Sequence, residues 1–473
     1  MTTRLKLFNT ESRSLEEVIP LNGNTVRIYT CGPTVYNFAH IGNFRTYIFE
    51  DVLCRTIKFF GMEVRQVMNL TDIDDKTLHG AIEKGISLEA FTKPYKEAFF
   101  QDIAALGIEK AETYPEATAF IPSMMQLIEE LLSKGIAYQG ADGSIYFAIS
   151  RFPSYGRLSH LQLDELKTGA SQRMADEYDK ENAADFVLWK AYDPVRDGNI
   201  FWESPFGPGR PGWHIECSAM AMSILGESID IHAGGIDNMF PHHENEIAQS
   251  EACSGHHFVR IWVHSEHLLV DHKKMSKSLG NFYTLRDLFN RGYSGRQVRF
   301  MLLSTHYRTQ LNFTFQGMQA AGASLERLDD FIDRLGRIKD GASQGKAAPC
   351  LDIAYTQFRA ALGDDLNISL ALAALFDLVR SINVLIDQKQ ISAAEAEQTL
   401  EFLKTIDQVL GVLFFGKEQE DISIECQELL QRREDARMHK EWQLADECRD
   451  LLQSRGYFIE DTPSGARLKK IKK

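Results

Sequence analysis

Paired cysteines are missing from this sequence. Its seven cysteines, at positions 31, 54, 217, 253, 350, 426 and 448, form no CxxC pair, and their number is odd. A disulfide framework is therefore not expected, and a reducing compartment is. Positive charge is also short, with 52 Lys and Arg against 66 Asp and Glu and a net charge of −14. That balance excludes strong nonspecific nucleic-acid binding over the whole surface but leaves room for a local basic stripe. No uninterrupted apolar run reaches membrane-spanning length, so no membrane partner is expected. Residues 1–20 carry Glu11, Glu16 and Glu17 and no long apolar core, which reads as neither signal nor transit peptide. These absences point to the cytoplasm. There are also no internal repeats and no coiled-coil heptads.

What is present is ordinary globular material: 473 residues, 25% charged and 44% hydrophobic, enough for two to four domains. The stretch from 25 to 46 organises the rest. Val26, Ile28 and Thr30 alternate with Arg27, Tyr29 and Cys31, a period-two strand that Gly32-Pro33 ends. From Ile41 the period becomes helical, with Phe44, Ile48 and Val52 near one face and Gly61 as the stop. Cys31 thus sits where a strand ends, and His40-Ile41-Gly42-Asn43 where a helix begins. In α/β folds that junction binds phosphates through free backbone N–H groups and the helix dipole.

A second strand near Val64 to Leu70 leads into Thr71-Asp72-Ile73-Asp74-Asp75-Lys76. Its acids read as a helix start rather than a cation site. Helices are expected over 75–135, and a hairpin over Tyr138 to Ile149 about Ala141-Asp142-Gly143. From 150 to 212 periodicity is poor, and six of the nine residues from Ser204 to Gly212 are Pro or Gly. Residues 115–210 therefore read as an insertion between two halves of a nucleotide-binding fold. The second half holds Gly212 to Ser218, a strand from Ile229 to His232, the loop Gly234-Gly235-Ile236-Asp237 and a helix start at Pro241. One buried strand is expected from Val259 to Val270. After Thr284, an N-cap, the pattern is helical almost to Phe415, with linkers at 341–348 and 416–421.

Four constellations suggest chemistry. His242 and Glu246, four apart on a helix, can face one ion; His243 and Glu246, three apart, serve almost as well. A solvated polar face is the plain alternative. Lys274-Met275-Ser276-Lys277-Ser278, on a loop closed by Gly280, offers mobile cations for phosphates. Gly234 and Gly235 permit close approach by a nucleotide, and Asp237 can accept from ribose hydroxyls. At the end of the chain Trp442, Arg449, Arg467, Lys469, Lys470, Lys472 and Lys473 mix an aromatic with cations, as single-stranded RNA surfaces do. A solvated helix and an unstructured tail over the last six residues is the alternative.

His40-Ile-Gly-Asn43 resembles the HIGH signature of class I aminoacyl-tRNA synthetases, and Lys274-Met-Ser-Lys-Ser278 resembles their KMSKS signature without departure. With the segment 71–76, the resemblance is to the cysteinyl-tRNA synthetases, and it runs from about residue 5 to 465. It implies an α/β architecture: a Rossmann-like parallel-sheet catalytic domain over 1–315, with the insertion at 115–210 and the KMSKS region at 270–315. A helical anticodon-binding domain would follow over 316–415, then a small tRNA-contacting domain over 416–473.

By the same resemblance, Cys31, Cys217, His242 and Glu246 would hold one Zn2+ per chain, with His243 as a neighbour. The other five cysteines would be buried small hydrophobes. His40, Asn43, Lys274 and Lys277 would be catalytic, and Gly42, Gly234, Gly235 and Asp237 would join His40, Asn43 and Lys277 around ATP and its Mg2+. Thr71, Trp213 and His232 would line the amino-acid pocket. Asn43 departs from the signature: it can donate a hydrogen bond but stays neutral. The implied partners are tRNA(Cys), ATP and L-cysteine, with the chain acting as a monomer. Zinc has a purpose here, since shape alone separates near-isosteres by only about 100-fold, whereas a soft ion prefers thiolate to hydroxyl. Two rivals are a ligase that joins cysteine to an amino sugar and a non-catalytic RNA-binding relative. The first lacks the long region that follows the catalytic core here, and the second needs neither His40 nor an intact lysine run.

Overall fold

The computed structural model describes residues 3–161, 185–276, 279–341, 344–415, 424–439, 441–455, 457–462 and 465–470. Two antiparallel strands, β1 (Lys6–Asn9) and β2 (Ser14–Glu17), precede β3 (Thr25–Thr30), the strand expected from the alternation at 26–31. That alternation divides β3 between two cores. Val26 and Ile28 pack with Phe49, Leu53 and Ile57 of α1 (Ile41–Phe59), while Tyr29 and Cys31 pack with Ile215, Cys217 and Met220. Ile28 is fully buried, and burying a side chain of that size is worth about 1.5–3 kcal/mol.

β4 (Glu63–Met68) runs parallel to β3. The acidic run after it is a helix start, as its composition suggests: Asp74 caps α2 (Asp75–Lys84), accepting from Lys76 N at 2.6 Å. Asp72 and Asp75 are spent on ion pairs, with Lys96 at 3.1 Å and Lys190 at 2.8 Å. α3 (Leu88–Ala105) and α4 (Ile121–Ser133) follow. The region from 137 to 211 then forms an antiparallel sheet in the order β5 (Ala137–Gln139), β6 (Ile145–Phe147), β7 (Phe186–Ala191), β8 (Gly209–Pro211). β7 escapes a period-based reading because its first five residues are all buried, so nothing alternates.

The chain returns to the main sheet through α5 (Trp213–Leu225), β9 (Ile229–Gly235), α6 (Glu244–Ser254) and β10 (Val259–Ser265). The order is β10-β9-β3-β4, every pair parallel, with the two halves of the chain meeting where β3 lies beside β9. All carboxyl ends therefore share one edge, where open α/β sheets bind ligands. β9 continues three residues past the expected His232, so Gly234 and Gly235 end a strand rather than form a loop.

The single strand expected over 259–270 is two. β10 stops at Ser265, Glu266 N donates to Tyr307 O at 2.8 Å, and β11 (Leu268–Val270) enters another sheet. That sheet orders β12 (Lys273–Lys274), β11 and β13 (Leu311–Phe313), and β13 also interrupts the expected all-helical region. Before β13 in the chain come α7 (Leu285–Asn290) and α8 (Gly295–Leu303), and after it α9 (Phe315–Gly336), α10 (Ala347–Gly363), α11 (Ile368–Asp387) and α12 (Ala393–Leu410). α11 is long and apolar enough to cross a membrane, but Asp377 and Arg380 interrupt it and Ala371, Leu375, Leu378 and Ile382 are buried.

The chain divides into two compact units, 1–287 with 294–413, and 288–293 with 414–473. Within the second, α13 (Ile424–Met438) and α14 (Trp442–Ser454) pack with a hairpin of β14 (Tyr457–Thr462) and β15 (Gly465–Lys470) around Cys426, Leu452 and Tyr457. Residues 468–470 thus pair in a strand where the composition suggested a tail. The linker read at 416–421 lies outside the described residues.

Candidate active site and metal centre

Cys31 follows the last residue of β3, and Cys217 lies in the second turn of α5. His242 and Glu246 reach the same point from the turn and helix that follow β9. Their ligand atoms all lie within 4.8 Å of one another, and all four residues are buried. A second, overlapping group, Cys31, His232, His243 and Glu246, meets the same spacing. Both adjacent histidines are held at Nδ1 by another imidazole and turn Nε2 toward the cluster, with His243 Nε2 lying 3.3 Å from Cys31 Sγ. His242 Nδ1 is 2.9 Å from His214 Nδ1, which leaves Nε2 facing Glu246. His243 is held at Nδ1 by His264 at 2.8 Å, and His232 Nε2 hydrogen-bonds Glu246 Oε2 at 3.0 Å.

The donor set suits zinc: two sulfurs, one imidazole and one carboxylate. Glu246 Oε1 is buried and makes no hydrogen bond among the described residues, although His242 Nε2 lies 3.0 Å away. A carboxylate oxygen aimed at an imidazole nitrogen without a hydrogen bond fits two ligands that face a common ion. The charges agree. A hydrogen bond from Cys31 holds the Cys217 thiol down to about 6 against burial, with His242 assisting. The same bond, and then burial, push Cys31 up. Burial acts against Glu246, yet the charges of His232 and His242 hold it down to about 2. His214 and His243 are driven well below the usual histidine range, first by burial, and so stay neutral, as orienting partners should.

The proposed amino-acid residues surround this cluster. Trp213 is no core residue: it is 40% exposed and stacks on His242, ring centres 4.2 Å apart. His232 is fully buried, hydrogen-bonded to Glu246 and stacked on Trp262, so it touches the cluster directly. Thr71 is buried, and its hydroxyl accepts from Asn69 Nδ2 at 3.0 Å. Gly32 lets that segment cross close by, since a Cβ there would lie 1.8 Å from Asn69 O.

The nucleotide candidates gather along the same edge. His40 caps α1: its ring accepts from Asn43 N at 3.2 Å, and its backbone N–H donates to Asn43 Oδ1 at 3.1 Å. Asn43's oxygen is thereby committed, and its amide N–H groups are the donors left for a phosphate. Burial lowers the His40 pKa, opposed by the nearby Asp237 carboxylate. The lysine loop docks on this corner. Ile41 N donates to Tyr283 O at 3.0 Å, and a Cβ at Gly42 would sit 3.2 Å from Met275 Cε. A Cβ at Gly234 would lie 2.9 Å from the His243 ring, so that glycine serves the histidine packing as well. Lys274 is exposed on β12, and Lys277 lies outside the described residues.

Two contributors have weaker sequence signals. Asn281 closes the lysine loop, accepting from Ser276 N at 2.8 Å and donating to Lys274 O at 3.2 Å; its place after Gly280 was the only hint. Glu244, fully buried between the two metal-candidate positions, accepts from the backbone N–H groups of Gly156, Leu158 and Ser159 and from the Ser159 hydroxyl. Of the remaining cysteines, Cys54, Cys426 and Cys448 are buried, whereas Cys253 and Cys350 are only partly so. Trp442 is 60% exposed, and Arg449 is paired with Asp446 at 2.9 Å. The side chains of Arg467, Lys469 and Lys470, and all of Lys472 and Lys473, lie outside the described residues.

Comparison with known proteins fits this geometry. Residues 17–323 match the family model for the class I (C) tRNA synthetase catalytic domain, and 357–415 match the DALR domain. The chain is 62% identical to a cysteine--tRNA ligase of Protochlamydia amoebophila over 98% of each chain. It is 56% identical to one of Chlamydia muridarum, covering 99% of this chain and all of the relative. Among solved structures, Mycobacterium tuberculosis methionyl-tRNA synthetase with methionyl-adenylate shares the fold, with a TM-score of 0.58 at 14% identity. That match covers 82% of this chain and 90% of the other.

Proposed function

The chain belongs to the cysteine--tRNA ligase family of class I tRNA synthetases, and from that premise we propose that it activates L-cysteine with ATP and charges tRNA(Cys). The cysteine carboxylate attacks the α-phosphorus of ATP, which enters with its Mg2+, and pyrophosphate leaves. A terminal ribose hydroxyl of the tRNA, the 2′ one by class resemblance, then attacks the activated carbonyl, and AMP leaves. Neither step needs a covalent protein nucleophile; positioning and charge stabilisation suffice.

Cys31, Cys217, His242 and Glu246 would hold Zn2+, and when bound it would take the substrate as thiolate and disfavour a hydroxyl. The single observation that carries this reading is that those four donors converge within 4.8 Å, around a carboxylate oxygen lacking a hydrogen bond. Trp213 and Thr71 bound the amino acid above the cluster, and His232 fixes Glu246 from below. His40, Gly42 and Asn43 meet the phosphates, Gly234, Gly235 and Asp237 run along the adenosine, and Lys274 and Lys277 neutralise the departing pyrophosphate. Residues 1–315 would perform the chemistry, 316–415 bind the anticodon region and 416–473 add tRNA contacts. A monomer whose thiols stay free in a reducing cytoplasm completes the reading.

The test is pyrophosphate exchange into ATP across an amino-acid panel, with metal content measured on the same preparation. One zinc per chain and exchange that depends on cysteine but not serine are expected. Activity in zinc-free protein would sink the metal assignment, and exchange driven by another amino acid would sink the substrate.

A further inference from the structure

We propose that Arg45 is a positioning residue for adenylate formation: it fixes the small sheet bearing the lysine loop onto the helix bearing His40 and Asn43. The inference rests on the reading above, in which both motifs handle ATP. Arg45 lies in the second turn of α1 and is 2% exposed. It reaches no carboxylate among its hydrogen-bond partners. Its guanidinium donates instead to three backbone carbonyls, those of Leu302, of Thr305 at 2.8 Å and of His306 at 2.9 Å. These close the last turn of α8 and begin the segment that leads into β13. β13 pairs in parallel with β11, and β11 pairs with β12, which carries Lys273 and Lys274. Further bonds tie β13 to the base of the loop: Asp271 N to Phe313 O at 3.1 Å, and His272 N to Asn312 Oδ1 at 2.7 Å. An unbroken path of hydrogen bonds and a few peptide links thus joins Arg45 to the lysine loop.

The opposite helix answers with a second buried guanidinium. Arg299 of α8 is fully buried and donates to Asp51 of α1 at 2.5 Å and to Leu410 O at 2.7 Å. Each helix therefore sends one arginine into the other's surroundings, and the angle between them is set from both sides. A buried cation held only by carbonyls is a costly way to pack two elements, because apolar side chains would do so without desolvating a charge. What a planar fork on three carbonyls adds is a defined orientation. Orientation is what the activation step needs, with His40 and the lysines on opposite sides of the same phosphates.

The experiment uses the full chain with Arg45→Lys, which keeps the charge but not the fork, and Arg299→Lys. Pyrophosphate exchange should fall roughly 10- to 100-fold in kcat for Arg45→Lys, the scale of a displacement of about 1 Å. KM for cysteine should stay within about 3-fold, because the cysteine pocket lies on other elements. Single-turnover transfer from preformed cysteinyl-adenylate to tRNA should change no more than that. The double variant should lose less than the product of the two single losses, since both loosen one joint. Equal loss of activation and transfer, or unchanged exchange, would overturn the clamp. If Arg45→Lys does not fold, Asp51→Asn carries the test: it leaves the Arg45 bonds in place, loosens the carboxylate that Arg299 shares with Arg55 and the Glu109 N–H, and must still lower exchange at constant cysteine KM. A wild-type protein without cysteine-dependent exchange overturns the site reading and the clamp together, whereas an active wild type with uniform losses overturns the clamp alone.

Discussion

The donor cluster and the lysine loop stand side by side in this molecule and are built on opposite terms. Cys31, Cys217, His242 and Glu246 are themselves all buried, and His214, His232, His243 and His264 brace the cluster through hydrogen bonds of 2.8–3.0 Å. The loop, by contrast, leaves Lys273 and Lys274 exposed on a two-residue strand, tied down mainly through Asn281. On the function proposed above, the difference would follow from two tasks. Choosing an amino acid by the chemistry of its side chain would require ligands that cannot drift, which suits a buried cluster. Meeting charge that develops on phosphates would require cations that can approach and withdraw, which suits a short exposed edge.

The contrast would break most visibly at Cys217. Cys217→Ser should remove bound zinc and lower cysteine-dependent exchange by more than about 100-fold, the upper range for losing even an orienting partner of a metal ligand. ATP affinity, followed by quenching of a fluorescent nucleotide analogue, should hold. A variant that kept its zinc and its cysteine affinity would erase the distinction between the two regions.

Lys274→Ala should act in the reverse sense and somewhat less strongly. Loss of one contact to developing charge lowers kcat for exchange by about 30- to 100-fold. Zinc content and the cysteine dissociation constant, measured by calorimetry, should be unchanged. A collapse of cysteine binding with normal activation would mean that the loop serves the amino-acid pocket after all.

The smallest effect is expected at Glu50, on the helix that runs beneath both regions. Its carboxylate is fully buried with neither oxygen hydrogen-bonded among the described residues, and burial raises its pKa well above the usual carboxyl value. A raised carboxyl binds its proton more tightly when folded, so the native state holds the extra proton at pH values above the unfolded pKa. Stability therefore falls as pH rises through that window, by up to about 1.4 kcal/mol per pH unit. Glu50→Gln should leave exchange kinetics intact and flatten the slope of unfolding free energy against pH above the unfolded carboxyl pKa. An unchanged slope in urea titrations would show that the carboxyl has found a partner or ionises freely.

Much of this was legible in the chain itself. The change from period two to helical period around residues 30–41, the stop at Gly61, the cap at Asp74 and the close of α4 before Gly135 are all local choices. Each follows from backbone freedom and side-chain spacing within a few residues, which one segment carries complete. The kinds of donor, sulfur, imidazole and carboxylate, were equally visible. Only the tertiary structure decided how they meet. Spacing alone allowed His242 or His243 to face Glu246, and the fold keeps both at the cluster, each held at Nδ1 by a histidine from another element, His214 or His264. The stacking of Trp213 on His242 was likewise set only by the fold. β7 and the break after Ser265 were invisible because uniform burial and a change of sheet leave no period to read. Arg45 gave no signal at all, since an arginine in a helix is ordinarily solvated and its carbonyl partners lie more than 250 residues away along the chain. Local pattern depends on neighbours in sequence, whereas the site depends on the parallel order of β3 and β9, which brings distant strand ends to one edge.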